Sequence, residues 1–121
     1  MKMLILANEA PEDFALRESK SEVETYMGAW YAYGQAMAEA GVYESGAALQ
    51  PPSTATVVSV RDGVRRVEDG PFPDAKEQLG GFALIDAADL EAGAKWAATC
   101  PAAKRGFVDV RVIPDLEEHV K

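Results

Sequence analysis

Asp69, Asp74, Lys76 and Glu77 bring three carboxylates and an ammonium into one short segment. By type and spacing they are the first candidates for chemistry in this chain. A carboxyl group that is desolvated or crowded by other carboxylates holds its proton more tightly, which suits it to general acid or base work, while a neighbouring lysine attracts an anion. The segment from Asp69 to Gly81 reads Asp-Gly-Pro-Phe-Pro-Asp-Ala-Lys-Glu-Gln-Leu-Gly-Gly. Pro71 and Pro73 lack amide hydrogens and Gly70, preceding a proline, is pushed toward extended backbone, so a stiff loop is expected here. Charged side chains on such loops are a common seat of function.

A second charged set lies near the C-terminus. In Phe107 to Ile113, Val108, Val110 and Val112 alternate with Asp109 and Arg111, so a strand would send the valines to one face and the charges to the other. Two readings of the combined set stay open. In one, Arg111 pairs with Asp69, Asp109 or Glu77 and fastens the loop to a sheet. In the other, Arg111 and Lys76 bind an anionic ligand, Asp69 is the general base, and Phe72 and Asp74 help to line the cleft. Tyr26, Trp30 and Tyr33 form an aromatic stripe at helical spacing, read as core or as a pocket wall. Cys100, next to Pro101 and without a histidine partner, reads as a buried, inert thiol. Gly80 and Gly81 read as backbone freedom before a strand.

The elements that must position these groups follow from pattern. Lys2 to Ala7 is apolar on both faces, as expected of a central strand covered twice. Glu9 to Ser19 is acidic, contains Pro11 and reads as a loop. Ser21 and Glu24 have capping-box spacing ahead of a long helix carrying Val23, Met27, Trp30, Tyr33, Gly34 and Met37, which ends at Gly41. Val42 to Leu49 is an irregular strand interrupted by Ser45-Gly46. Thr54 to Arg61 and Val64 to Glu68 flank Asp62-Gly63, a two-residue hairpin signal. Phe82 to Asp86 is a strand, Asp89 caps a second helix that Pro101 stops, and Phe107 to Ile113 is the last strand.

Without the hairpin, the order is strand, helix, strand, strand, helix, strand. It predicts an α+β fold of ferredoxin-like, split βαβ type, with both helices on one face of an antiparallel sheet. Two helices cover only one face, yet the first strand is apolar on both. A homodimer, with self as the partner burying the second face, is therefore expected. Residues 1–114 form one domain and 115–121 a charged tail.

With 121 residues, 48% of them hydrophobic, the chain suffices for one core. The net charge of −8 and the scattered bases, with Arg61, Arg65 and Arg66 the only local concentration, argue against nucleic acid as a direct partner. One cysteine and the lone His119 leave no spacing for a disulfide or for a Cys- or His-based metal centre, and no cofactor is expected. The apolar run at the N-terminus meets Asn8, Glu9 and Glu12 too soon for a signal peptide, and no segment has the length of a membrane span.

Asp69-Gly70-Pro71-Phe72, Lys76-Glu77 and Leu79-Gly80-Gly81-Phe82 together resemble the signature of the DGPF proteins, a branch of the YCII-related family. The resemblance extends to Tyr33, Gly41, Trp96, Pro101, Gly106 and the Val-Asp-Val-Arg-Val of the last strand. It implies a dimeric α+β barrel of ferredoxin-like halves and a cytoplasmic, bacterial-type protein. Asp74 and Asp109 stand where the family usually has glutamate. The wider group implies lyase-like enzymes with a His-Asp pair, whose histidine has no counterpart here because His119 lies in the tail. DGPF proteins are often encoded beside sigma factors of the extracytoplasmic-function type. Two functional expectations follow. One is an enzyme that binds a small anionic or aromatic metabolite and catalyses cofactor-free proton transfer or elimination. The other is a non-catalytic interaction or regulatory protein with a sigma factor as partner.

Overall fold

In the computed structural model, which describes residues 1–70 and 77–114, the chain begins with β1 (Lys2–Glu9). Met3, Ile5, Ala7 and Glu9 are buried on one face of this strand, and Leu4, Leu6 and Asn8 are half-buried on the other. The strand runs two residues further than its apolar stretch. Glu9 therefore keeps the inward phase of the three apolar residues before it.

A short helix, α1 (Pro11–Leu16), follows where a loop was expected. Its signals are local: Pro11 sits in the first turn, where its missing amide hydrogen costs nothing, and Glu12 and Asp13 favour the positive end of the helix dipole. The long helix α2 (Val23–Glu39) then crosses the sheet. The expected capping box does not form, since no side chain caps α2. The preceding turn supersedes it: the amides of Glu22 and Val23 donate to the Ser19 carbonyl at 3.3 and 2.9 Å. Gly41, at φ +75°, closes the helix as the pattern implied.

Next come β2 (Tyr43–Ala48), then the β3 (Thr56–Arg61) and β4 (Val64–Asp69) hairpin. Asp62 and Gly63 at its turn have φ of 52° and 76°, the paired positive values that a tight hairpin turn requires. The rest is β5 (Gln78–Asp86), α3 (Leu90–Thr99) and β6 (Phe107–Val112). Asp89 caps α3 by accepting from the Ala92 amide at 2.9 Å, and a 3-10 turn from Pro101 to Lys104 follows the helix.

The main sheet has the order β2-β5-β1-β6 with antiparallel pairing throughout, and β3 and β4 form a separate two-stranded sheet. β1 and β5 are therefore central, as the split order demands. The core, built on Met3, Ile5, Tyr33, Met37, Ile85, Ala97 and Cys100, lies between the sheet and the helices. Among the described residues no helix is long and apolar enough to cross a membrane.

Candidate active site: a cavity under α2

The β2 side of the sheet beneath α2 is rich in small residues. Gly46, Ala47 and Ala48 of β2 pair with Ala83, Phe82 and Gly81 of β5. These offer little side chain to fill the space below the helix, and α2 itself buries only Tyr33 and Met37 deeply. A half-open cavity of about 300 Å³ results, mostly apolar, with Met27, Trp30, Tyr33, Gly34 and Met37 on the helix side and Ile5 and Ala7 on the sheet side. Its size is at the lower end of sites for small organic ligands.

At one end the cavity meets Arg17, Gly80 and Cys100. Arg17 follows α1 and turns back over the sheet, its guanidinium 5.0 Å from the Phe14 ring centroid. It donates to the Leu49 carbonyl, to the Gly80 carbonyl at 3.2 Å and to Glu9 Oε2 at 2.7 Å. One side chain thus ties the ends of β1, β2 and β5 together. Glu9 is 1% exposed and its second oxygen, Oε1, has no hydrogen-bond partner among the described residues. Burial raises the Glu9 pKa, outweighing the lowering effect of Arg17.

The register explains how a carboxylate is accommodated there. Ala7 pairs with Gly81 and Asn8 with Leu79, so Gly80 is an extra residue on β5, a bulge. A Cβ on Gly80 would stand 1.7 Å from Glu9 Oε2. Close approach, rather than the backbone freedom expected from sequence, accounts for this glycine.

Tyr33 and Cys100, two further groups of the lining, hold their protons. Tyr33 donates to the Trp96 carbonyl at 2.8 Å, and burial pushes its hydroxyl well above the usual phenol range. Burial likewise pushes the Cys100 thiol up to about 11, so it is no thiolate nucleophile at neutral pH. Trp30 and Trp96 meet the Tyr33 ring edge-on, at centroid distances of 6.3 and 6.5 Å. The aromatic stripe is thus both core, through Tyr33, and cavity wall, through Trp30 and Tyr33.

The described charged groups among those singled out from sequence lie elsewhere. Phe72, Asp74 and Lys76 fall outside the described residues, as does the 115–121 tail with His119. Asp69 is exposed at the end of β4, and Glu77 is half-buried just before β5. Asp109 and Arg111 pair with Leu6 and Leu4, so they lie on the sheet face turned away from the helices, and both are exposed. Among the described residues Arg111 makes no ion pair, and Asp109 accepts from Asn8 Nδ2 at 3.3 Å. None of the described members of this set lines the cavity under α2.

Arg17 and Gly34, which line the cavity, and Glu9, which pairs with Arg17 without lining it, were not expected from sequence as site residues. For Glu9 a signal existed: its two-residue phase with Met3, Ile5 and Ala7 marks a carboxylate turned into a core. Gly34 shares the helical spacing of Trp30, Tyr33 and Met37, which marks the face but not the cavity. For Arg17 no local pattern exists, because its role depends on contacts between elements distant in sequence.

A family model described as the YCII-related domain matches residues 1–117. An uncharacterised protein of Rhizobium meliloti (strain 1021) is 41% identical over 73 residues, 60% of this chain and 59% of the relative. The match thus spans less than two thirds of that relative's length. Among solved structures, the 5-chloro-2-hydroxyhydroquinone dehydrochlorinase TftG of Burkholderia phenoliruptrix AC1100, in complex with 2,5-dihydroxybenzoquinone, superposes with a TM-score of 0.52 at 16% identity. The superposition covers 94% of each chain. At that identity the likeness is one of fold.

Proposed function

The chain belongs to the YCII-related family, and we propose that it binds a small aromatic or anionic metabolite in the cavity under α2 and catalyses cofactor-free proton transfer or elimination on it. The observation that carries this reading is the cavity itself. A well-packed interior leaves few voids larger than a water molecule. Here about 300 Å³ stays open, lined in part by Arg17, which holds the buried carboxyl group of Glu9, itself not a lining residue.

In this reading Glu9, which does not itself line the cavity, is the proton reservoir held behind Arg17. Arg17 pins one oxygen, the other has no partner, and burial has already moved the group toward the pKa that acid–base work near neutral pH needs. Arg17 orients that carboxyl group and meets an oxygen of the ligand. Tyr33 and Cys100 stay protonated and serve as wall. The structural neighbour TftG, named as a dehydrochlorinase and bound to a dihydroxybenzoquinone, supports a reaction of this class on this fold.

The working unit in this proposal is a homodimer, the dimeric α+β barrel of the DGPF type. On the open face of the sheet Leu4, Leu6 and Leu84 are half-buried, while Phe82 and Phe107 are 36% and 47% exposed. Asp109 and Arg111 share that face, and a second copy related by a two-fold axis would meet it with the same apolar surface and opposite charges. The charged groups Asp69, Glu77, Asp109 and Arg111 remain a second candidate location for ligand in this proposal.

A thermal-shift screen of small carboxylates, phenols and phosphates separates the two locations. A stabilising ligand whose effect is lost in Glu9→Gln but kept in Asp69→Asn supports the cavity, and the reverse supports the loop. No shift with any compound would favour the non-catalytic reading, to be followed by a pull-down for a sigma factor.

A further inference from the structure

Gly34 lies in the interior of α2, half-buried, on the cavity wall. Its backbone is not in the positive-φ region, and a Cβ built on it would meet no atom within 4 Å. Neither a turn nor a close approach requires glycine here, although glycine is among the poorest residues for a helix interior. What its missing side chain provides is room in the cavity. The sheet side of the same cavity is formed in part by Gly46, Ala47, Ala48 and Gly81, which again present mainly backbone. Gly34 is thus a gap, a slot, in a helix wall that otherwise carries Met27, Trp30, Tyr33 and Met37, opposite a sheet wall that is mainly backbone.

The polar end of the slot narrows the chemistry of what fits. Arg17 is its cation, and three of its hydrogen bonds are spent on Leu49, Gly80 and Glu9. Its charge is balanced by Glu9 at 2.7 Å, so the site calls for one oxygen rather than a fully charged group. The net charge of −8 further disfavours a polyanion.

We propose that the cavity is a slot for a flat, single-ring aromatic molecule with one phenolic oxygen, that Gly34 sets its thickness, and that Arg17 receives the oxygen. This rests on the cavity being a small-molecule site and adds the class of ligand and the residue that selects it.

The test measures, in mildly acidic buffer where 4-nitrophenol is un-ionised, calorimetric affinity for 4-nitrophenol and benzyl phosphate, together with the melting temperature without ligand. The proteins are wild type, Gly34→Ala, Gly34→Leu and Gly28→Ala. Gly28 is the control, since it also lies in α2 with nothing near its Cβ position but is exposed and away from the cavity. Wild type is expected to bind 4-nitrophenol at least tenfold more tightly than benzyl phosphate. Gly28→Ala and Gly34→Ala should both raise the melting temperature. Only Gly34→Ala should weaken 4-nitrophenol, by tenfold or more, and Gly34→Leu should abolish binding. A Gly34→Ala protein that melts lower, or a Gly34→Leu protein that binds 4-nitrophenol within twofold of wild type, would overturn the slot while leaving the cavity as a site. Tighter binding of benzyl phosphate would overturn the ligand class. Failure of wild type to bind either probe would overturn both this inference and the functional reading beneath it.

Discussion

The Glu9 carboxylate lies 2.7 Å from the Arg17 guanidinium and uses only one of its two oxygens in the contact. The two side chains are 1% and 17% exposed, so the pair is screened far less than a surface ion pair. Removing one member of a buried pair leaves the other charge uncompensated. Arg17→Met is therefore expected to destabilise the fold by about 3 kcal/mol in chemical denaturation. Adding Glu9→Gln to it should recover more than half of that loss. A single mutant within about 0.5 kcal/mol of wild type, the range usual for surface changes, would contradict the contact.

Gly80→Ala tests the bulge that admits the carboxyl group. The new methyl would stand 1.7 Å from Glu9 Oε2, an atom anchored by Arg17 and unable to swing away cheaply. Overpacking of this kind costs about 1–3 kcal/mol. The loss should shrink markedly in a Glu9→Ala background, because the obstacle is then gone. Equal losses in both backgrounds would show that the glycine serves the backbone alone.

Most of the fold was legible in the sequence, and the site much less so. The double-faced apolar strand, the long helix, the Asp62-Gly63 turn, the Asp89 cap and the split order all rest on local periodicity or turn chemistry. The structure shows each of them. α1 was missed although its proline and acids were present, because a six-residue helix is too short to show periodicity. The Ser21 and Glu24 spacing misled because the backbone carbonyl of Ser19 already serves the first amides. The cavity arises from small residues on β2 and β5 facing α2, a coincidence of three segments that no single window contains. The charged loop drew attention by composition, yet its described members, Asp69 and Glu77, lie away from that cavity.

The pH dependence of stability follows from Glu9. Its pKa in the folded protein is raised above the ordinary 4.5, so the folded state binds the proton more tightly than the unfolded one. The resulting stabilisation is fully present below 4.5 and is lost as pH rises through the raised value. Asp86 acts oppositely and at lower pH. Its hydrogen bond to the N-terminal amine lowers its pKa from 3.8, so its contribution is lost only as pH falls below that range. Denaturation of wild type from pH 4 upward should show a decline in stability that Glu9→Gln lacks. Parallel curves for the two proteins would contradict a raised Glu9.

The proposed homodimer predicts sedimentation of wild type at twice the chain mass at micromolar concentration. Leu6→Asp, placing a charge on the open face of the central strand, should yield monomer that keeps its far-UV circular dichroism. A wild type that sediments as monomer would remove the dimer from the account.

The most direct test of the central claim is a titration of the isotopically labelled protein with 4-nitrophenol, followed in nitrogen–proton correlation spectra. The account predicts that the Trp30 indole signal and the amides of Arg17, Gly34 and Gly81 move together with one dissociation constant. Signals of Asp69, Glu77, Asp109 and Arg111 should stay in place. Shifts confined to those four, with Trp30 and Gly34 unmoved, would contradict a site under α2.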